Sequence, residues 1–383
     1  MKIYNIFLEF RKECLTINSE IIKSRVDKLR ALMSEKNLDV FVLVVEERAN
    51  SESCHYISGF RGSSAALIID SNEEILITDG RYLTQSKEQS PFKIIIQSEL
   101  SLLEYIARAI KDSNFKRVGY EAEKISHAEF QKFFAPVNVE WVDASDLILK
   151  LRRTKDDYEI SMIKQAAKIG REAFGNVLKK THVGMSEIEF DIKLMEEIKL
   201  LGAEKGWAHD DFIVASGTRS AMCHAPATLK KFSDGENVTV DYGAMVGGYM
   251  SDITRNFALG RADKKALELN EILLKAHREA AKVLRPGITG REVDAVARKI
   301  IFDAGYEKNF LHGLGHGLGL EVHEAPRLSR ISKDTLQVGD VVTIEPGIYI
   351  EGWGGLRIED DYLITADGAE CLTINDNQSL NLI

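Results

Sequence analysis

Two strand-like stretches carry carboxylates where an ordinary buried sheet would carry none. Asn237-Val238-Thr239-Val240-Asp241-Tyr242-Gly243 reads as a strand launched from the turn Ser233-Asp234-Gly235, and Tyr249 to Phe257 returns after Gly247-Gly248 with Asp252 on it. Side chains alternate faces along a strand. If the loop holds an even number of residues, Asp241 and Asp252 therefore share a face, either directly opposite or one diagonal step apart. Two like charges so placed destabilise a bare sheet, and a divalent cation between them reverses the sign of the interaction. This hairpin alone leaves open a pair of exposed aspartates.

A second hairpin repeats the pattern. Val341-Val342-Thr343-Ile344-Glu345 runs into Pro346-Gly347, and Leu356-Arg357-Ile358-Glu359 returns after Gly352, Gly354 and Gly355. Alternation puts Arg357 and Glu359 on one face, with Leu356 and Ile358 on the other. Burying a polar group without a partner costs roughly 2–7 kcal/mol, and an ion costs more, so a metal or a salt bridge has to compensate. Between the hairpins lies His312-Gly313-Leu314-Gly315-His316-Gly317-Leu318-Gly319-Leu320-Glu321-Val322-His323. Its glycines let the backbone pass close to a ligand. A histidine among carboxylates is an oxygen-rich donor set, better suited to Mn, Fe, Co or Zn than to a metal that selects thiolates. The segment Ala215 to Pro226 reads as a loop or strand edge that brings His224 to the same region.

At 383 residues the chain is long for one domain. Its first part alternates helix and strand patterns, as an α/β layer structure does. Ile22, Val26, Leu29 and Met33 recur at helical spacing and Val40 to Val45 follows as a buried strand. Residues 65–69 and 75–78 form a hairpin around Asp70-Ser71-Asn72, and further strands fit 92–97, 117–120 and 139–142. Helices are expected over 100–110 and over 126–134, the latter capped by Ser126. His55 and His127 are isolated and read as surface or capping residues. From about Asp146 a long helical pattern takes over, so the domains are read as an extension over 1–20, a first domain over 21–147 and a second over 148–383.

The net charge of −9 and the absence of a basic run exclude a surface for wrapping nucleic acid. No segment approaches a membrane-spanning run. In MKIYNIFLEFRKECL the charges of Glu9, Arg11 and Lys12 interrupt the apolar stretch before an export-length core develops, which points to the cytoplasm. The four cysteines, Cys14, Cys54, Cys223 and Cys371, show neither metal-knuckle nor disulfide spacing and read as reduced thiols. Cys223 beside His224 suggests a nucleophile pair, but sequence neighbours on a strand point to opposite faces.

These residues resemble the pita-bread-fold metallopeptidases, which include aminopeptidase P, prolidase and methionine aminopeptidase, with creatinase as a metal-free relative. The resemblance rests on VDYG, SDITRNF, HGLGHGLGLEVHEAP, TIEPGIY and GLRIEDDYLIT, in that order. It implies an α/β (α+β) chain with a creatinase-like N-terminal domain and a C-terminal pita-bread domain, a curved antiparallel sheet flanked by helices. It further implies two divalent metal ions, with Mn ahead of Co, Zn and Fe, held by Asp241, Asp252, His316, Glu345 and Glu359. Glu345 is expected to handle the proton of the nucleophilic water, and His323 and His224 to contact the substrate carbonyl and the tetrahedral intermediate. His312 would shape the pocket, and Arg357 would hold either Glu359 or an end of the substrate.

HYISGFRGSSAALII and ILITDGRY are similar to the N-terminal domain of aminopeptidase P, prolidase and creatinase, a domain that methionine aminopeptidases lack. The expected reaction is cleavage of a short peptide before a proline at its second position. GFRGSS leans toward aminopeptidase P and the short length toward prolidase. A homodimer is expected, with the first domain walling off the far end of an active site, its own or a partner's. A non-catalytic peptide-binding protein or a creatinase-like amidinohydrolase on this fold would have lost ligands.

Overall fold

A buried central strand organises the first of two compact units, Met1–Arg152 and Arg153–Ile383, into which the chain divides in the computed structural model. The structure describes residues 16–47, 49–207, 212–373 and 380–383, so Cys14 and most of the 1–20 extension lie outside the described residues. In the first unit, helix α1 (Ser19–Glu35) is capped by Asn18, whose side chain accepts from the Glu20 N–H, and it buries Ile22, Val26, Leu29 and Met33. The sheet contains β1 (Val40–Val45), β2 (Ala65–Asp70), β3 (Glu74–Thr78), β4 (Lys93–Ile96), β5 (Arg117–Tyr120) and β6 (Glu140–Asp143), in the order β4-β3-β2-β1-β5-β6. Every residue of β1 is buried, which is why it reads as an unbroken apolar run. The β2–β3 turn is closed by Asp70, whose Oδ1 accepts from the backbone of Asn72 and Glu73. Helix α2 (Leu102–Lys111) lays Leu102, Leu103, Ile106 and Ile110 on a core that includes Val42, Ile68 and Phe134.

Two local expectations need correction. Ser126 does cap, in a reciprocal box with Glu129, but only His127–Glu129 is α-helical before the chain widens into a π turn over Phe130–Phe134. Phe134 there stacks on Trp141 at 4.3 Å, and the Trp141 indole donates to the Phe134 carbonyl. His55 is no surface residue: it lies buried in an unforeseen helix, Ser51–Ser58, with Nδ1 3.3 Å from the Gly59 carbonyl. His127 is exposed, as expected.

The second unit packs four long helices on two sheets. Helix α3 (Asp157–Leu178) begins at a capping box of Asp156 and Glu159, and α4 (Glu187–Leu200) at the Ser186 cap. Helices α5 (Lys264–Val283) and α6 (Gly290–Asp303) bury Leu269, Leu273, Val293 and Ile301 in one core with Val342, Ile344, Leu356 and Ile358. The smaller sheet has β7 (Ile213–Ser216), β8 (Asn237–Tyr242) and β11 (Ile253–Ala258), with β9 (Met245–Val246) and β10 (Tyr249–Met250) as a two-stranded tip. The larger has β12 (Gly315–Gly317), β13 (Glu324–Leu328), β14 (Val341–Ile344), β17 (Asp360–Thr365) and β18 (Gly368–Cys371). Strands β15 (Gly347–Ile350) and β16 (Gly354–Arg357) pair separately, and β19 (Asn381–Leu382) joins β11. The two sheets touch through an antiparallel bridge between Thr254 and Glu359. Among the described residues no helix is long and apolar enough to cross a membrane.

Register carries the carboxylates to their places. Tyr242 stands opposite Ile253 and Val246 opposite Tyr249, one continuous register from the sheet to the tip. The turn between is Gly247-Gly248, with φ of +59° and +85°. A two-residue hairpin turn of this hand needs positive φ at both positions, which glycine adopts freely. Since Thr254 is opposite Asp241, Asp252 falls one diagonal step from Asp241 on the same face. Gly248→Val is expected to lower stability by roughly 1–2 kcal/mol, the cost of a left-handed residue with a branched side chain. Urea unfolding reads it, and an unchanged midpoint would show that the flanking ladders hold the register unaided.

The second hairpin obeys the same logic with an interruption. Ile344 stands opposite Asp360 and Gly347 opposite Arg357, a single register across two separate ladders. Glu345 and Glu359 therefore face each other at the break, where Pro346 has no N–H to give. The Glu345 N–H donates instead to the Leu314 carbonyl and the Glu359 N–H to the Thr254 carbonyl, so both neighbouring strands converge on this point.

Candidate active site

Three ligand-type side chains, Asp252, His316 and Glu359, are buried with their donor atoms within 4.8 Å of one another. Glu345 adjoins them, Oε1 lying 3.4 Å from His316 Nε2, while Asp252 Oδ2 lies 3.7 Å from the same nitrogen. Glu345 is the most open of this group, its side chain 17% exposed against 5% for Asp252, which leaves it an edge toward solvent. Asp241 is the fifth member, and its Oδ2 accepts from Arg357 Nη2 at 2.5 Å.

His316 reaches the cluster because β12 is pinned from both sides. Its N–H donates to Thr343 Oγ1 on β14, and its Nδ1 lies 3.1 Å from the Gly317 carbonyl, leaving Nε2 toward the carboxylates. Glycine on either side is obligatory: a Cβ at Gly315 would lie 2.1 Å from the Thr343 carbonyl oxygen, and one at Gly317 would lie 2.2 Å from that of Ala325. The His323 ring meets the His316 ring edge to face at 4.4 Å. His312 sits beside Glu345, its Nε2 2.9 Å from the Tyr349 hydroxyl. His224 is exposed, and the residue before it, Cys223, is tied to the site through its carbonyl, which accepts from Arg357 Nη1 at 3.3 Å.

Arg357 is fully engaged by protein groups. Besides Asp241 it donates from Nε to Thr254 Oγ1 and from Nη1 to the Tyr349 hydroxyl and the Cys223 carbonyl. Thr254 Oγ1 in turn donates to Glu359 Oε2 at 2.7 Å. The sequence left Arg357 either Glu359 or an end of the substrate; its direct carboxylate partner is instead Asp241, and it reaches Glu359 only through Thr254.

Burial pushes the Glu359 carboxyl up to about 8, with Asp241 adding to the effect. Burial, reinforced by Glu359, likewise lifts Asp252 and Glu345 well above the usual carboxylate range. The imidazoles move the other way: burial and the neighbouring His323 take His316 down to about 3, and burial with Arg357 takes His312 to about 4. Neutral imidazole is the ligand form. The Cys223 thiol is raised by burial, which leaves the Cys223–His224 pair without the thiolate a nucleophile requires.

The sequence signature of metallopeptidase family M24 matches residues 161–366, and that of the creatinase/prolidase N-terminal domain matches residues 25–154. The chain is 36% identical over 362 residues to the Xaa-Pro dipeptidase of Pyrococcus furiosus, covering 94% of this chain and 100% of that one. The chain belongs to metallopeptidase family M24. Among solved structures this M24 chain is similar to the Xaa-Pro dipeptidase from Bacillus anthracis, with a TM-score of 0.88, 36% identity and coverage of 94% and 100% of the two chains. The X-Pro aminopeptidase from Thermotoga maritima MSB8 also has a TM-score of 0.88, with 35% identity and coverage of 94% and 99%. The fold expected from the resemblance, a creatinase-like α/β domain followed by a pita-bread domain, is the fold observed.

An M24 metallopeptidase implies divalent metal, and the residues present fit it. Asp241 Oδ1 and Asp252 Oδ1 are buried with no hydrogen-bond partner among the described residues, and carboxylates held this close repel one another without a cation between them. Four groups around the M24 site escaped the sequence reading: Thr254, Thr343, Tyr349 and Asp361. Asp361 is fully buried and accepts the Asp252 N–H through Oδ2 at 3.0 Å. Strand alternation offered a signal for three of them. Thr254 lies two residues beyond Asp252, Asp361 two beyond Glu359, and Tyr349 four beyond Glu345, each on the face of that carboxylate.

Proposed function

We propose that this metallopeptidase is an Xaa-Pro dipeptidase that works as a homodimer and holds two divalent ions, Mn in preference to Co, Zn or Fe, on Asp241, Asp252, His316, Glu345 and Glu359. The observation that carries the metal-dependent part is the buried convergence of Asp252, His316 and Glu359, with Glu345 alongside and two aspartate oxygens without a partner among the described residues. An oxygen-rich donor set favours Mn over metals that select sulfur. Support for proline-directed cleavage comes from the relatives. The leaning toward aminopeptidase P drawn from GFRGSS gives way to prolidase, because the P. furiosus and B. anthracis proteins, both named dipeptidases, align over their whole length. The T. maritima structure, named an aminopeptidase, keeps longer peptides as the second reading.

Bound there, the ions would make water a nucleophile at neutral pH and polarise the scissile carbonyl. The chain's residues divide the remaining work. Glu345, the carboxylate with an open edge, takes the proton of the attacking water and passes it to the leaving proline nitrogen. His224 and His323 line the approach beside the cluster and donate hydrogen bonds to the carbonyl oxygen as charge develops on it. Arg357 binds Asp241 directly and, through Thr254, holds one oxygen of Glu359, so that two ligands are oriented by one guanidinium.

The deciding experiment compares an Xaa-Pro dipeptide with an Xaa-Pro-Xaa-Xaa peptide on metal-loaded protein whose mass is read by light scattering. A kcat/KM at least about tenfold higher for the dipeptide, some 1.4 kcal/mol of discrimination, and a mass of two chains are expected. Faster cleavage of the longer peptide would make the enzyme an aminopeptidase, and a single-chain mass would remove the dimer.

A further inference from the structure

The loop that carries His224 leaves β7 at Ser216 and rejoins the fold near Thr228, and both ends are fastened to one carboxylate. Glu187, the first residue of α4, is fully buried. Its Oε1 accepts from the Ser216 N–H at 2.9 Å and the Ser216 hydroxyl at 2.8 Å. Its Oε2 accepts from the Thr228 N–H at 3.1 Å and the Thr228 hydroxyl at 2.6 Å. Arg219 Nε bridges the two oxygens at 3.3 and 3.1 Å, and its Nη2 donates to the Pro226 carbonyl at 2.6 Å, two residues past His224. The backbone repeats the closure, the Glu187 N–H donating to Lys230 and the Ile188 N–H to Thr228.

We propose that Glu187, acting through Arg219, is a positioning residue for the reaction: it clasps both ends of the 216–228 loop and so sets the place of His224 at the metal cluster. The proposal rests on the reading of His224 as a contact to the substrate carbonyl. Nothing about the fold of β7 or α4 requires six donor contacts to converge on a single side chain. The loop has no regular structure beyond the turn Gly217–Ala221, and His224 itself is exposed, so its position is determined by what ties down the residues around it. The first flank has a further tie, Ser220 Oγ accepting from the Gly355 N–H on β16. Segment 222–227 is held at Pro226 by Arg219 and by an antiparallel bridge to Ile213, and at Cys223 by Arg357 Nη1, which donates to its carbonyl; Glu187 fixes the first of these ties through Arg219.

Glu187→Gln is nearly isosteric, yet whichever way the amide is turned, one backbone N–H, of Ser216 or of Thr228, faces an NH2 group and loses its acceptor. The clasp opens at one end. The expected result is a kcat lowered about 10–100-fold, the usual cost of displacing a reacting group by around an ångström, with bound metal per chain unchanged and KM altered less than kcat. Arg219→Lys, which keeps a charge beside Glu187 but cannot span to Pro226, is expected to do the same. It also stands in should Glu187→Gln fail to fold, because Arg219 is partly exposed.

The decisive readout is a double-mutant cycle with His224→Ala. If the clasp acts through His224, adding either variant to His224→Ala lowers kcat by less than about twofold, a clear departure from additivity. Losses that multiply would overturn the clasp and leave a general structural role for Glu187. A wild-type rate for His224→Ala alone would instead overturn the reading of His224 on which the proposal rests.

Discussion

Alanine at Asp252 or at Glu359 is expected to reduce bound metal from about two ions per chain to less than about one, and to lower kcat by on the order of 10³, the equivalent of several kcal/mol of charge stabilisation. Both residues are buried at the centre of the cluster, their donor atoms within reach of His316 and of each other. Neither can be replaced by solvent without reopening a core in which Thr254, Arg357 and Asp361 are already committed to holding them. His224→Ala provides the contrast. That side chain is exposed and outside the donor cluster, so metal content should hold while the rate falls by about 10²–10³, as when a single donor to a developing oxyanion is removed. Metal analysis beside single-turnover rates separates the two classes. If His224→Ala emptied the site, or if Asp252→Ala kept both ions, the assignment of ligands would be wrong.

Why the convergence of these carboxylates could be read from sequence while their supports could not follows from the physics of strands. Alternation has a period of two, and a two-residue Gly247-Gly248 turn leaves a single register, so Asp241 and Asp252 had to share a face once both segments were strands. The same rule carries Glu345 to Glu359, although a proline breaks the ladder between them. What alternation cannot convey is which distant segment supplies a donor. Glu187 lies 29 residues from Ser216 and 41 from Thr228, and in the sequence it is only an acidic residue in the first turn of a helix, where acids are common for reasons of dipole alone. The π turn at Phe130–Phe134 escaped for a related reason. Its capping box is local and legible, but the aromatic partner that stacks on it, Trp141, arrives from the next strand. The helix at Ser51–Ser58 has a period too short to stand out over two turns and is stabilised by burial.

Exhaustive chelation is expected to abolish turnover, Mn or Co to restore it at about two ions per chain, and the chelated protein to acquire a pH dependence of stability that the loaded protein lacks. The sign follows from the carboxylates. Burial raises Glu359 to about 8 and lifts Asp252 and Glu345 well above their ordinary values of 3.8 and 4.5. Between the ordinary and the raised value the folded chelated protein keeps a proton that the unfolded chain has released. Stability therefore falls as pH rises through that interval. His316 and His312 act in a different window. With folded values near 3 and 4 against an ordinary 6.5, they remove stability only as pH falls below 6.5, and above it they are neutral in both states. From about pH 6.5 to 8 these histidines are silent, and beyond the contribution of Glu121, which burial raises to about 7 with or without metal, the chelated protein should lose on the order of 1 kcal/mol per pH unit for each proton its cluster carboxylates retain. Bound cations displace those protons and flatten the curve. Urea unfolding at pH 6.5, 7.25 and 8, with and without Mn, measures it: a chelated protein as stable at pH 8 as at 6.5 would mean that the cluster relaxes apart once emptied, and full turnover with no metal bound would end the metal-dependent reading altogether.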